Sequence, residues 1–445
     1  MKLPLKDKVL FAIGGLGENV TFQAATAWLI FFWAGRGDTQ NALIPIGLLG
    51  ILLGVGRFIE AFDDPLIGYL SDRTKSRWGR RFPYVFFGAP FLALTFFLLW
   101  IPVGSEQVVG HPYIQPIYFF IILQLFFLTY TLVSAPYEGI LPEIAKTNSD
   151  RVSTSAWRVL FGLIGAAIGL VASGVIIQFF GFAAMGAILG IVGIAAFWIA
   201  VLGIKKRLSL STDVAKINLF AALRQTLCNS QFLIFSLAFI LFSLSLNLLT
   251  TLMPFYVVNL LKLLEGQTAL FMALVLGSML LALPVQTRLS SRFGKKKIYA
   301  YSMLALGLLF PLLFLTGLTP LNPFWQTVGL VILIGFALSG QFIFPNAILA
   351  DIIDYDAIKT GLRREAIYYG MQNTLQKFSF ALSSIIFGTT LSIFGAAVEN
   401  PLGIRLIGPI AGLAALLGFL VFIKWYQLPD TIKNTKVSRQ MRLPH

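Results

Sequence analysis

The chain has 445 residues, of which 57% are hydrophobic and only 12% charged. Soluble domains carry about 25% charged residues, so the two or three soluble domains that the length would allow are excluded. The formal charge of +15 could suggest a nucleic-acid binder, and that reading depends on where the charges lie.

Apolar blocks long enough to cross a bilayer run in chain order over 9–34, 43–70, 84–103, 113–141, 157–181, 183–203, 231–259, 267–288, 298–318, 324–350, 367–396 and 402–426. Twelve such blocks predict an all-α membrane protein. The basic start, MKLPLKDKVL, is expected to be retained: the block after it is too long for a signal h-region and lacks a clear cleavage site. Of the 34 Lys and Arg, 29 fall in segments on one side of the membrane. Three (Arg36, Lys262, Arg405) fall on the other, and Arg57 and Lys377 lie inside spans. The positive-inside rule then places both termini in the cytoplasm, and the charge reports topology with no need of nucleic acid. The 41 Phe and 40 Gly suit lipid-facing surfaces and close helix packing. Cys228 is alone, and His111 and His445 sit in a loop and at the last residue. No intrachain disulfide, cysteine metal site, His-based triad or zinc site is expected, and no enzyme or cofactor.

The chain also repeats itself. Gly68-Tyr-Leu-Ser-Asp-Arg73 follows the second span and Gly79-Arg-Arg81 closes its loop; Leu289-Ser-Ser-Arg292 follows the eighth and Gly294-Lys-Lys-Lys297 closes that one. The fourth span ends Ile140-Leu-Pro-Glu143 and the tenth ends Ile348-Leu-Ala-Asp351. Two pairs at matching places predict duplication. The expected plan is an N-terminal six-helix half (1–203), a cytoplasmic linker (204–230) and a C-terminal six-helix half with a cytoplasmic tail (231–445). That is the major facilitator fold of two pseudo-symmetric halves, in which solute binds near the midplane and rocking alternates access. A functional monomer is expected.

Charge inside a bilayer costs roughly 2.5–3.5 kcal/mol per residue on insertion scales and usually marks a site. The second span carries Arg57, Glu60, Asp63 and Asp64, with 57, 60 and 64 on one helical face. Three carboxylates and one guanidinium cannot all neutralise each other, which suits the cluster to one exchangeable Na⁺ or H⁺. The competing reading is an ion-pair network that only positions helices. Lys377 in the eleventh span would bring the cluster to a net −1 if it faced it. A second constellation is Thr131, Ser134, Pro136, Tyr137 and Glu138 with Arg158. Carboxylate, hydroxyl and guanidinium on facing helices can bind several hydroxyls of a polar solute; the plainer reading is a Glu138–Arg158 pair near the cytoplasmic end. The first span adds Glu18, Asn19, Thr21 and Gln23 after Gly14, Gly15 and Gly17. Asn247, Thr250 and Thr251 read as core hydrogen bonding.

Arg57-x-x-Glu60-x-x-x-Asp64-Pro65-x-x-Gly68, then Asp72-Arg-Thr74 and Gly79-Arg-Arg81-x-Pro83, resembles the glycoside–pentoside–hexuronide:cation symporters, the family of the melibiose permeases. The likeness recurs at Pro136-Tyr, Leu141-Pro142, Ala350-Asp-Ile-Ile-Asp354-Tyr, Lys359-Thr-Gly-x-Arg363-x-Glu365 and Gln372 through Lys377, nearly the whole chain. It implies symport of a sugar, glycoside or related polar solute with Na⁺ or H⁺ across the bacterial inner membrane. Glu60 and Asp64 would bind the cation, Na⁺ included, with Thr131 and Lys377 assisting; Asp63 is a further cation candidate from its place in the cluster, where the family usually has an amide or neutral residue. Asn19, Ser134, Tyr137, Glu138, Arg158, Gln372 and Asn373 would face the solute, and Arg57, Asp72, Arg73 and Arg363 would serve gating or structure. The departures are specific. Galactoside-binding members carry Asp at the positions of Asn19 and Ser134, an aromatic at Glu138 and a basic residue at Glu18, while Arg158 keeps the type of the sugar-binding arginine. Melibiose would therefore not be held in the same way, and Glu18 and Glu138 are the candidate replacement acceptors. Asp63 adds an acid and tilts the coupling ion toward H⁺, with Na⁺ open. The same fold could instead carry a lysolipid-like amphiphile, and a non-transporting sensor or channel is the reading from another class.

Overall fold

The computed structural model describes residues 3–38, 40–74, 76–104, 111–145, 147–205, 226, 228–360 and 365–428. Among them are thirteen α-helices: α1 Leu5–Ala12, α2 Gly14–Trp33, α3 Ile46–Arg73, α4 Phe82–Leu98, α5 Ile114–Ile144, α6 Asn148–Ala167, α7 Ser173–Ile204, α8 Ser230–Phe255, α9 Thr268–Phe293, α10 Lys295–Leu309, α11 Pro323–Thr360, α12 Glu365–Phe394 and α13 Leu402–Trp425. No strand occurs among the described residues. A bilayer supplies no water to backbone N–H and C=O groups, and a helix satisfies them within itself.

These helices account for twelve crossings. Residues 153–204 form one 52-residue helical stretch that continues through a π-helical turn at Ile168–Ala172 and breaks at Gly181 (φ 80°, ψ 174°). That break makes the fifth and sixth spans. α1 and α2 together form the first span. α2 carries the polar residues Glu18, Asn19, Thr21 and Gln23, and α3 the charged cluster. α4, with 17 residues, is the short one. Arg158 lies on the first turns of the 153–204 stretch.

Close contacts divide the chain into two compact units. The first comprises Met1–Ala215, Thr250–Ala273 and Ala381–Ile407; the second comprises Lys216–Leu249, Leu274–Phe380 and Gly408–His445.

In the first unit α2 packs on α6 and α7, α4 on α5 and α7, and α3 on α5. Trp28 donates to the Ser173 hydroxyl at 2.9 Å and Trp33 to the Leu99 carbonyl at 2.9 Å. Phe32, Trp100 and Phe182 pack around them. α3 meets the end of α12 through glycines: a Cβ on Gly388 would lie 2.7 Å from the Gly50 Cα, so only glycine allows this approach.

The ends of the first unit away from the basic loops are tied together. Asn259, buried, donates its amide to the carbonyls of Arg36 at 2.6 Å and Ala396 at 2.7 Å. Arg36 pairs with Glu265 at 2.7 Å. Gly37 sits at φ +87°, where a Cβ would lie 2.5 Å from the Ala396 carbonyl oxygen. At the opposite end, Lys8 pairs with Asp150 at 2.8 Å. Arg80 and Arg81 pair with Glu143 at 2.8 and 3.0 Å.

In the second unit, α8 joins α13 through Ser245, which donates to the Ala411 carbonyl at 2.8 Å. Asn229 donates to the Tyr368 hydroxyl at 3.0 Å and Gln341 to the Ser243 hydroxyl at 2.9 Å. Lys295 pairs with Asp351 at 2.5 Å. The duplicated loops and span ends noted in the sequence therefore carry the same contact twice. In each unit a basic residue of the loop motif reaches the acid of the repeated span-end motif, Glu143 at the end of α5 and Asp351 within α11.

Two outcomes follow from these ties. The hydrogen bonds that Asp150 accepts from Lys8, Thr147 and the backbone hold its carboxyl down at about 2. Its unfolded value is about 3.9, so the stabilisation is complete above that value and is lost as pH falls through about 2. Asp150→Asn should therefore lower the thermal stability of the protein in detergent equally at pH 7 and pH 5. Asn259→Ala should loosen the closed end. In a Cys228→Ser background, a cysteine placed at the buried Ala34 should react several-fold faster with an impermeant maleimide when Asn259 is alanine.

Candidate functional site

The first unit brings together α2, α3, α5 and α6, each of which contributes charge within the membrane. On α3, Arg57 Nη1 lies 2.8 Å from Glu60 Oε2, one turn on, and the two side chains are only 7% and 1% exposed. A carboxylate that deep needs a cation and donors beside it. The guanidinium is also sandwiched: its carbon sits 4.6 Å from the Phe22 ring of α2 and 4.2 Å from the Phe127 ring of α5. Gly56 makes the α5 side possible, since a Cβ there would lie 2.6 Å from the Gln124 amide. Two rings within cation–π distance of one guanidinium add to the pairing with Glu60.

Thr131 stands one turn beyond Phe127 on α5. Its hydroxyl is fully buried and has no hydrogen-bond partner among the described residues. Asp63 is half-buried on α3. The side chains of Asp64 and Asp72, and all of Arg363, lie outside the described residues. Arg73 ends α3 and is exposed.

The second cluster is built around Arg158 of α6. Its Nε lies 3.3 Å from Glu18 Oε2, and its Nη2 lies 3.2 Å from Glu18 Oε2 and 3.4 Å from Oε1. The same Nη2 pairs closely with Glu138 Oε1 of α5. One guanidinium therefore joins carboxylates from two other helices. Glu18 is buried, whereas the Glu138 side chain is 46% exposed. Gly15 permits the approach of α2 to α6, because a Cβ there would lie 2.7 Å from the Arg158 carbonyl oxygen.

The neighbours of this cluster differ in exposure. Tyr137 is fully buried, donates its hydroxyl to the Phe11 carbonyl at 2.6 Å and lies 5.6 Å beneath the Arg158 guanidinium. It is a supporting wall here, with its one polar group already engaged. Asn19 donates its amide to the Gly15 carbonyl of its own helix at 3.0 Å. Ser134, one turn before Glu138, is half-buried. In the second unit, α12 carries Gln372 buried, Asn373 exposed and Lys377 half-buried. Asn247 approaches the Ser379 hydroxyl at 3.4 Å, and Thr251 approaches the Thr26 carbonyl at 3.4 Å in the first unit.

Sequence reasoning placed Arg57 and Glu60 on one face and Glu138 with Arg158, and the structure joins both pairs. It missed Phe22 and Phe127, for which an aromatic residue in an apolar helix gives no separate signal. It also missed the Asn259 and Arg36–Glu265 ties, whose partners lie more than 130 residues apart. Among the described residues no group of His, Cys, Asp and Glu has the arrangement of a metal-ion site.

Residues 10–427 match the model of the MFS/sugar transport protein family, and the chain belongs to that family. An uncharacterized symporter of Synechocystis is 25% identical, over 99% of this chain and 97% of its own. The isoprimeverose transporter of Lactiplantibacillus pentosus is 24% identical, over 89% of this chain and 82% of its own. The crystal structure of the nucleoside transporter NupG superposes with a TM-score of 0.66 at 16% identity, covering 95% of this chain and all of that one. The protein is thus an integral membrane transporter with the major facilitator fold.

The buried α3 pair gives a stability test. Removing one partner of a buried ion pair costs about 3–5 kcal/mol, whereas replacing both is far milder. Arg57→Met should therefore lower the melting temperature in detergent more than the double variant Arg57→Met with Glu60→Gln does.

Proposed function

We propose that the protein is a cation-coupled symporter, working by alternating access, for a sugar, glycoside or related polar solute. The observation that carries this reading is Arg158, held inside the membrane between Glu18 and a half-exposed Glu138. A guanidinium and a carboxylate side by side offer a donor and an acceptor to vicinal hydroxyls, and the sugar-transport family and the symporter and isoprimeverose relatives support that use. In the same unit, Glu60, Asp63 and the unpartnered Thr131 hydroxyl are the candidate ligands of the coupling ion, Na⁺ or H⁺, with Asp64 as a further member. Solute would bind at Arg158, Glu138, Ser134 and Asn19.

The ties at Asn259 and Arg36–Glu265 close one end of the first unit. Alternating access requires them to break and re-form in each cycle. The setting proposed is the bacterial inner membrane, with both termini cytoplasmic and a monomer as the working unit.

Proteoliposomes test this reading. An imposed Na⁺ or pH gradient should drive accumulation of a radiolabelled glycoside. Glu60→Gln should abolish accumulation and leave downhill exchange of the same glycoside. Accumulation that ignores both gradients, or that survives the substitution unchanged, would refute the coupling role.

A further inference from the structure

Arginine within a sugar site is the natural partner of a uronate or sulfonate, because its planar fork matches an anionic group with two parallel N–H bonds. Here that fork is already taken. Arg158 Nε and Nη2 both face Glu18, and Nη2 also pairs with Glu138. An anionic sugar would have to displace one of these carboxylates or become a third anion around one guanidinium. Like charges so placed repel, and the low dielectric of a membrane interior strengthens the repulsion.

The other charged and titratable groups nearby do not relieve it. Tyr137, beneath the guanidinium, has its hydroxyl on the Phe11 carbonyl. Arg57 of α3 is paired with Glu60. Tyr130 of α5 packs its ring on Phe22. With both carboxylates ionised, Glu18, Glu138 and Arg158 together carry −1.

A neutral diol meets no such conflict. Glu138 is half-exposed and can accept from one hydroxyl. Arg158 Nη1, which has no hydrogen-bond partner among the described residues, can donate to a second. An amine in place of one hydroxyl would add attraction to the net negative charge.

We infer that this site selects its solute by charge, taking neutral and amine-bearing glycosides and rejecting uronates, and that Glu138 and Glu18 are the residues that set the selection. The inference rests on the sugar or glycoside reading above and narrows it.

The test is binding of methyl glucoside, methyl glucosaminide and methyl glucuronide, and of the galacto set, to the purified full chain in detergent. Calorimetry with and without Na⁺ at pH 7 and pH 5.5 provides the readout. The glucuronide and galacturonide should bind at least about tenfold more weakly than their neutral counterparts. Glu138→Gln should narrow or reverse that ratio by about tenfold. Glu138 is half-exposed, so this variant should fold; Glu18→Gln should act in the same direction. Uronate binding equal to or tighter than that of the neutral sugar overturns the inference while leaving the sugar reading intact. So does a ratio that neither variant changes. Failure of every glycoside, whatever its charge, removes the sugar reading and this inference with it.

Discussion

A bilayer interior cannot solvate a charge, and most of the structure around the site follows from meeting that constraint. Arg57 is met by Glu60 and by two aromatic rings, and Arg158 by Glu18 and Glu138. Each arginine therefore crosslinks helices that apolar packing alone would leave free to slide, since lipid tails are as apolar as the helices themselves. Arg158 is the stronger crosslink because its partners come from α2 and α5 while it stands on α6. Glycine at position 15 makes that geometry possible by letting α2 reach the α6 backbone.

The same logic applies at the helix ends, where charge is cheaper. Glu143 takes Arg80 and Arg81 in the first unit, and Asp351 takes Lys295 in the second. A duplicated sequence has kept a duplicated contact, although the basic residue differs in kind. Such pairs are only partly exposed, and their role is to fix the loop against the neighbouring helix end. The closed end of the first unit relies on weaker means. Its Arg36–Glu265 pair has an arginine side chain 60% exposed, and exposed pairs contribute little. The buried Asn259 amide, with two carbonyl acceptors, is the firmer tie. A closure held mainly by two hydrogen bonds of about 1 kcal/mol each is one that a transport cycle can open.

Much of this was legible in the sequence. Twelve apolar blocks and the one-sided basic residues indicate the helical crossings, and the spacing of 57 and 60 puts that pair on one face. The loop repeats announced the duplication that the two ion pairs now embody. Helix-to-helix contacts were not legible, because spacing along one helix says nothing about which neighbour its face meets. Tyr137 looked like a solute ligand beside Glu138, yet one residue along a helix turns a side chain by about 100°, enough to bury it against Phe11. Arg158 was already placed with Glu138 in the sequence; its second carboxylate, Glu18, lies 140 residues earlier and carried no signal of that contact. Asn259 carried no signal at all, since an asparagine near a span end is ordinary.

The central claim is that Arg158 binds the solute while the α3 cluster binds the cation, so that the two functions can be separated. The direct measurement is calorimetric titration of a glycoside and of Na⁺, or of stability against pH, into the wild type and into Arg158→Lys. The substitution keeps the charge that Glu18 and Glu138 require and removes the fork. Glycoside affinity should fall at least about tenfold while the cation response is retained. Unchanged glycoside affinity, or loss of both responses in a protein that still folds, would contradict it.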